Sequence, residues 1–173
     1  MSNRAVARSS GIVRHYLPDL VYGANDGIIT TFAVVSGVVG ANLSERIILI
    51  LGFANLVADG FSMGASNFLA RRSYADPEER DDRPEAIRHG TATVVGFLAA
   101  GIIPLIAYVV PLPEDARFPV AVVLTLSTLF AVGASRAIVT NLRWMRSGLE
   151  MLCVGALAAA VAYAIGALAS AVT

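Results

Sequence analysis

Five stretches of this chain run for about twenty residues each and are almost wholly apolar or small: near 20–41, 46–69, 90–110, 118–140 and 148–170. A helix of about twenty such residues crosses the roughly 30 Å hydrocarbon layer of a bilayer. The runs are continuous and lack the strict alternation of a membrane β-barrel. Only as helices can such segments close all their backbone hydrogen bonds internally. Composition agrees: charged residues make up 15% of the chain, against about 25% in soluble domains, and the mean hydropathy is +0.68. The sequence therefore reads as an all-α integral membrane bundle of five transmembrane helices over 20–173, preceded by a cytoplasmic segment at 1–19. That segment has no apolar stretch of the kind a cleavable signal peptide needs.

Arginine distribution sets the expected orientation. The chain has no lysine. Arg4, Arg8 and Arg14 precede the first span, Arg71, Arg72, Arg80, Arg83 and Arg88 fall in or beside the loop at 71–89, and Arg136, Arg143 and Arg146 flank the fourth connection. The other side carries only Arg46 and Arg117. By the positive-inside rule the N-terminus is cytoplasmic and the C-terminus outside. The net charge is zero and no nucleic-acid partner is expected. The single cysteine, Cys153, excludes an intrachain disulfide. The expected location is the plasma (inner) membrane of a prokaryote.

Polar residues inside the spans carry the functional signal. The first span, VYGANDGIITTFAVVSGVVGAN, holds Asp26. A carboxylate at that depth costs about 2.5–3.5 kcal/mol on insertion scales, and such residues mark ion or proton pathways. Asp19 lies seven residues earlier, on the same side of the helix. In the second span Asn55, Asp59, Met63 and Asn67 recur every four residues and form one polar stripe. Oxygen ligands suit hard divalent ions, and a thioether shifts preference toward transition metals. Asp26, Asp59 and Met63 are thus candidate ligands for Fe²⁺ or a similar ion in transit, and carboxylates can also carry protons. Asp19, Asn55, Asn67 and Glu150 are candidates for a secondary polar path. In the cytoplasmic loop Asp76, Glu78, Glu79, Asp81, Asp82 and Glu85 could collect metal. Gly23 and Gly27 bracket Asp26, and Gly60 and Gly64 bracket Met63. This small-residue spacing lets helices approach closely and is expected to bring spans 1 and 2 together, or to serve a homodimer.

Plainer readings exist for each. Asp26 and Asp59 could be buried carboxyls held neutral or paired with an arginine; Met63 could be core filler; Asn55 and Asn67 could be interhelical glue. Glu150 could face interfacial water, the loop acids could be a solvated linker, and His15 and His89 read as solvated at the membrane edge. Three other classes compete with a proton-coupled carrier: a non-transporting assembly or regulatory module, a passive cation channel, and a membrane enzyme. No His-Glu-x-x-His, no Gly-x-Ser-x-Gly and no intramembrane histidine base supports the enzyme, so a non-enzyme without a resident cofactor is expected.

The segments YGANDGIITTFAVVSGVVGA, GFANLVADGFSMGASNFL, GIIPLIAY and LFAVGASRAIVTNLRWMRSGLEMLCVGALAAAVAYAIG together resemble the vacuolar iron transporter family, over nearly everything after residue 17. The Asp-Gly of the first span and the Ser-Met-Gly of the second are the specific parts. The resemblance implies five transmembrane helices, a homodimer with its pathway at the subunit interface, and export of Fe²⁺ or Mn²⁺ from the cytosol in exchange for protons. The family's pathway aspartate falls on Asp26 and its pathway methionine on Met63. Two departures stand out. The family usually has Glu where this chain has Asn67, and the large cytoplasmic metal-binding domain is reduced to the short acidic loop.

Overall fold

The computed structural model describes residues 2–74, 83–138 and 143–172. All regular structure among them is helical: α1 (Ser2–Gly40), α2 (Glu45–Tyr74), α3 (Arg83–Gly101), α4 (Ile103–Val109), α5 (Glu114–Ser135) and α6 (Trp144–Val172), with a single 3₁₀ turn at Arg136–Ile138. By length and composition α2, α5 and α6 can each cross a membrane, and α3 with α4 make a fourth crossing when the bent pair counts as one. Helix α1 falls outside that set because Asn25, Asp26, Thr30 and Thr31 dilute its apolar run.

Local chemistry sets the breaks. Helix α1 is closed two residues past Gly40 by Asn42, which adopts φ 54°. Its amide donates to the Val39 carbonyl at 3.0 Å and that of Leu43 to Val38 at 3.1 Å. This is the reciprocal pair of a Schellman cap, with Asn in the left-handed position that glycine usually fills. The run at 90–110, expected to be one span, bends by 41° between α3 and α4. Pro104 has no N–H, and its ring clashes with the carbonyl four residues back. Helix α5 starts after Pro113 with Glu114 and Asp115 in its first turn, where the helix dipole favours acids.

Helix α3 is central, packed against both α1 and α2. A Cβ on Gly23 would lie 2.1 Å from the Thr93 carbonyl oxygen, one on Gly27 2.3 Å from that of Phe97, and one on Gly96 2.2 Å from that of Leu20. Backbone thus rests on backbone along the α1–α3 seam. Gly60 and Gly64 likewise meet Phe97, Leu98, Val94 and Gly90 of α3. The expectation that these glycines join spans 1 and 2 directly is corrected: they join each of those spans to α3. A core of Phe32, Val35, Ile48, Leu105, Tyr108, Ala121 and Ala159 ties α1, α2, α4, α5 and α6 together. Val57, Phe61, Val123, Leu157, Ile165 and Leu168 remain exposed, which in water would be an aggregation hazard and in lipid is the normal outer surface.

Candidate functional site

On α2 the buried line runs through Gly52, which faces Leu105 of α4, and Leu56, Gly60 and Gly64, which face α3. Asn55, Asp59 and Met63 stand one position before Leu56, Gly60 and Gly64, Asn67 follows one turn after Met63, and all four, along one shoulder, are partly buried. Asp26 of α1 is also partly buried, and the charge acting on it comes from Asp59. The two carboxyls therefore come within electrostatic reach across the α1–α2 boundary. Among the described residues neither has an ion-pair partner. Beside the stripe the exposed face of α2 is small: Ala58, Ser62 and Ser66. The Asn55 amide nitrogen is buried without a hydrogen-bond partner, whereas Thr30 turns its hydroxyl onto the Asp26 carbonyl at 2.8 Å.

The lower end of the stripe behaves differently. Asp19 is 6% exposed and gathers three elements. Its Oδ1 accepts from Asn67 Nδ2 at 2.8 Å and from Arg71 at 3.2 Å; its Oδ2 accepts from His89 Nδ1 at 2.5 Å. Asn67 also donates to Thr93 at 2.7 Å and accepts from Arg71 Nε at 3.1 Å. Burial raises the cost of ionising Asp19, but the hydrogen bonds from His89 and Asn67 and the charges of His89 and Arg71 outweigh it, holding its carboxyl below the ordinary carboxylate range. Asn67 is thus fully engaged in fastening α1, α2 and α3 together. A glutamate in its place would set a second carboxylate against Asp19.

His89 is corrected: it is not solvated at the membrane edge but 3% exposed, locked onto Asp19. His15 is exposed and bonds Glu85 at 2.9 Å. Glu150 pairs with Arg146 one turn away on the α6 surface, at 3.1 Å, and does not join the stripe. Of the expected metal-collecting loop, Asp76, Glu78, Glu79, Asp81 and Asp82 lie outside the described residues, and Glu85 belongs to the first turn of α3. Sequence reasoning missed His89, Arg71 and Thr93. The available signal was Glu85 and His89 at i, i+4 on one helix face.

Comparison with known proteins bears on what this arrangement serves. The model of the VIT family matches residues 17–87 and 77–167. The chain belongs to the VIT family. Among relatives, vacuolar iron transporter 1 of Arabidopsis thaliana is 25% identical over 209 residues, covering 85% of this chain and 83% of its own length. Vacuolar iron transporter homolog 1 of Oryza sativa is 29% identical over 167 residues, covering 87% and 72%. The vacuolar iron transporter of Toxoplasma gondii is 25% identical over 223 residues, covering 88% and 74%. The first and third alignments are longer than the whole 173-residue chain, so those VIT relatives carry inserted residues that this chain lacks; the rice alignment fits within its length. Membership makes the protein a membrane transporter of the iron-transport family, in keeping with its helical, lipid-suited surface.

Proposed function

We propose that the protein carries Fe²⁺ or Mn²⁺ out of the cytosol in exchange for protons, along a path lined by Asp26, Asp59 and Met63. The observation that carries this reading is that Asp26 and Asp59, on the packed helices α1 and α2, are both partly buried with no ion-pair partner among the described residues. Two carboxylates brought together away from water repel each other. A divalent cation between them removes the repulsion, and protons can take its place once the ion leaves. Met63, one turn from Asp59, adds a soft ligand that Mg²⁺ and Ca²⁺ do not favour. Asn55, with its unpartnered amide, extends the polar shoulder one turn further.

In this reading α1 supplies the fifth crossing, with the arginine-rich ends of the helices in the cytosol. A second copy packs against α1 and α2 over Ala58, Ser62 and Ser66, so that the half-open path becomes enclosed at a homodimer interface. The host membrane is the plasma membrane of a prokaryote. A passive channel would use the same ligands but would run without a proton gradient. The test is Fe²⁺ and Mn²⁺ flux in proteoliposomes for Asp59→Asn and Met63→Ala. Both are expected to lose most of the flux; wild-type rates in both would refute the path.

A further inference from the structure

The Asp19 cluster presents a second group of metal-ligand type outside the proposed path. His89 Nδ1 lies 2.5 Å from Asp19 Oδ2. An ionised carboxylate only accepts, so Nδ1 carries a proton whether the ring is charged or neutral, and in the neutral ring, the form that binds a metal, Nε2 presents its lone pair. That Nε2 is buried and has no hydrogen-bond partner. It points toward Glu85 Oε1, 3.9 Å away, which in turn lies 2.9 Å from His15 Nε2. The imidazoles of His15 and His89 have their centroids 4.9 Å apart, and the ligand atoms of His15, Glu85 and His89 all lie within 4.8 Å of one another.

We infer that His15, Glu85 and His89 form a binding site for a borderline first-row divalent cation of the Fe²⁺, Co²⁺ or Zn²⁺ class. Two imidazoles and one carboxylate are a donor set such ions accept and Ca²⁺ and Mg²⁺ do not seek. With metal–ligand bonds of about 2.0–2.2 Å, tetrahedral ligands sit roughly 3.3–3.5 Å apart, and the present separations bracket that value. Glu85 and His89 are one turn apart on α3, so one helix face delivers two ligands. Asp19 acts as the outer carboxylate that fixes the tautomer and aim of His89, and Asn67 and Arg71 fix Asp19. The side chains of His15 and Glu85 are 52% and 46% exposed, so the ion is reached from water and keeps an open coordination position. Asp26 lies seven residues beyond Asp19, about 10 Å further along α1. That an ion held here passes on to Asp26 rests on the transport reading; the binding itself does not.

The test uses the full-length protein in detergent micelles with Co²⁺ as the probe, read by its visible d–d absorption and by titration. Wild type is expected to show a saturable site with the strong bands of a four- or five-coordinate, imidazole-bound ion. His15→Ala, Glu85→Gln and His89→Gln should each weaken it by more than about 10-fold, while Asp26→Asn retains it. His15 and Glu85 are exposed enough that their variants report on the site even if His89→Gln fails to fold. Absence of imidazole-type bands in wild type, or unchanged binding in His15→Ala and Glu85→Gln, overturns the site and leaves Asp26-dependent flux standing. Binding that follows these variants in a protein without metal flux upholds the site and overturns the transport reading alone.

Discussion

Replacing Gly27 by alanine tests the seam that positions Asp26. The new Cβ would sit 2.3 Å from the Phe97 carbonyl oxygen and 2.9 Å from the Phe97 Cα and carbonyl carbon, where ordinary contact begins at 3.4 Å. Every one of those atoms is backbone, so no side chain can swing aside and α1 must move about 1 Å from α3. Overpacking by one methyl costs about 1–3 kcal/mol, and the upper half of that range applies because a whole helix must move. Alanine recovers about 0.5–1 kcal/mol of helix propensity, leaving a net loss of about 1–2.5 kcal/mol. Gly37→Ala is the matched control on the same helix. Its Cβ meets only the Ala162 carbonyl oxygen at 3.5 Å, so the propensity gain stands alone and the protein should be more stable by about 0.5–1 kcal/mol. At about 2–4 °C per kcal/mol for a chain of this size, thermal unfolding in detergent should show Gly27→Ala lowered and Gly37→Ala slightly raised. Equal effects in the two variants, or a stabilised Gly27→Ala, would refute the backbone-on-backbone seam.

Further outcomes follow from other contacts. Asn67→Leu keeps the volume but strips Asp19 and Thr93 of a shared donor, and should cost about 1–3 kcal/mol in unfolding measurements. Because the folded Asp19 carboxyl is held below its ordinary value, the stability it contributes is complete above about pH 4 and is lost as pH falls through the lower folded value; Asn67→Leu should bring that loss on at higher pH. For the dimer, Ser62→Cys in a Cys153→Ser background gives a single thiol beside the stripe. It should cross-link in membranes, and a thiol at Leu168, on the far surface, should not.

Much of the bundle was legible because hydropathy is a local property: about twenty apolar residues dictate a helix whatever surrounds them. The bend has a local cause in the proline of GIIP, which acts on its own backbone, but hydropathy alone runs through it and gives 90–110 as one span. Glycine spacing announced close approach but not the partner. Gly23, Gly27, Gly60 and Gly64 would read the same whether they met each other or, as they do, α3. Asp26, Asp59 and Met63 stood out because polar groups in an apolar run are conspicuous. His89 did not, because its defining contact joins residues 70 apart in sequence and its position at the end of a span looks the same whether it is buried or wet. Asn67 read equally as a ligand or as interhelical glue from its place in the stripe; its hydrogen bonds to Asp19, Thr93 and Arg71 depend on three helices meeting, which no single segment encodes.

Whether Asp26 couples metal to protons is decided by Fe²⁺ flux into proteoliposomes with and without an imposed pH gradient, for wild type and Asp26→Asn. Gradient-dependent flux is expected in wild type and should disappear in Asp26→Asn. Flux indifferent to the gradient, or undiminished in the variant, would contradict the coupling.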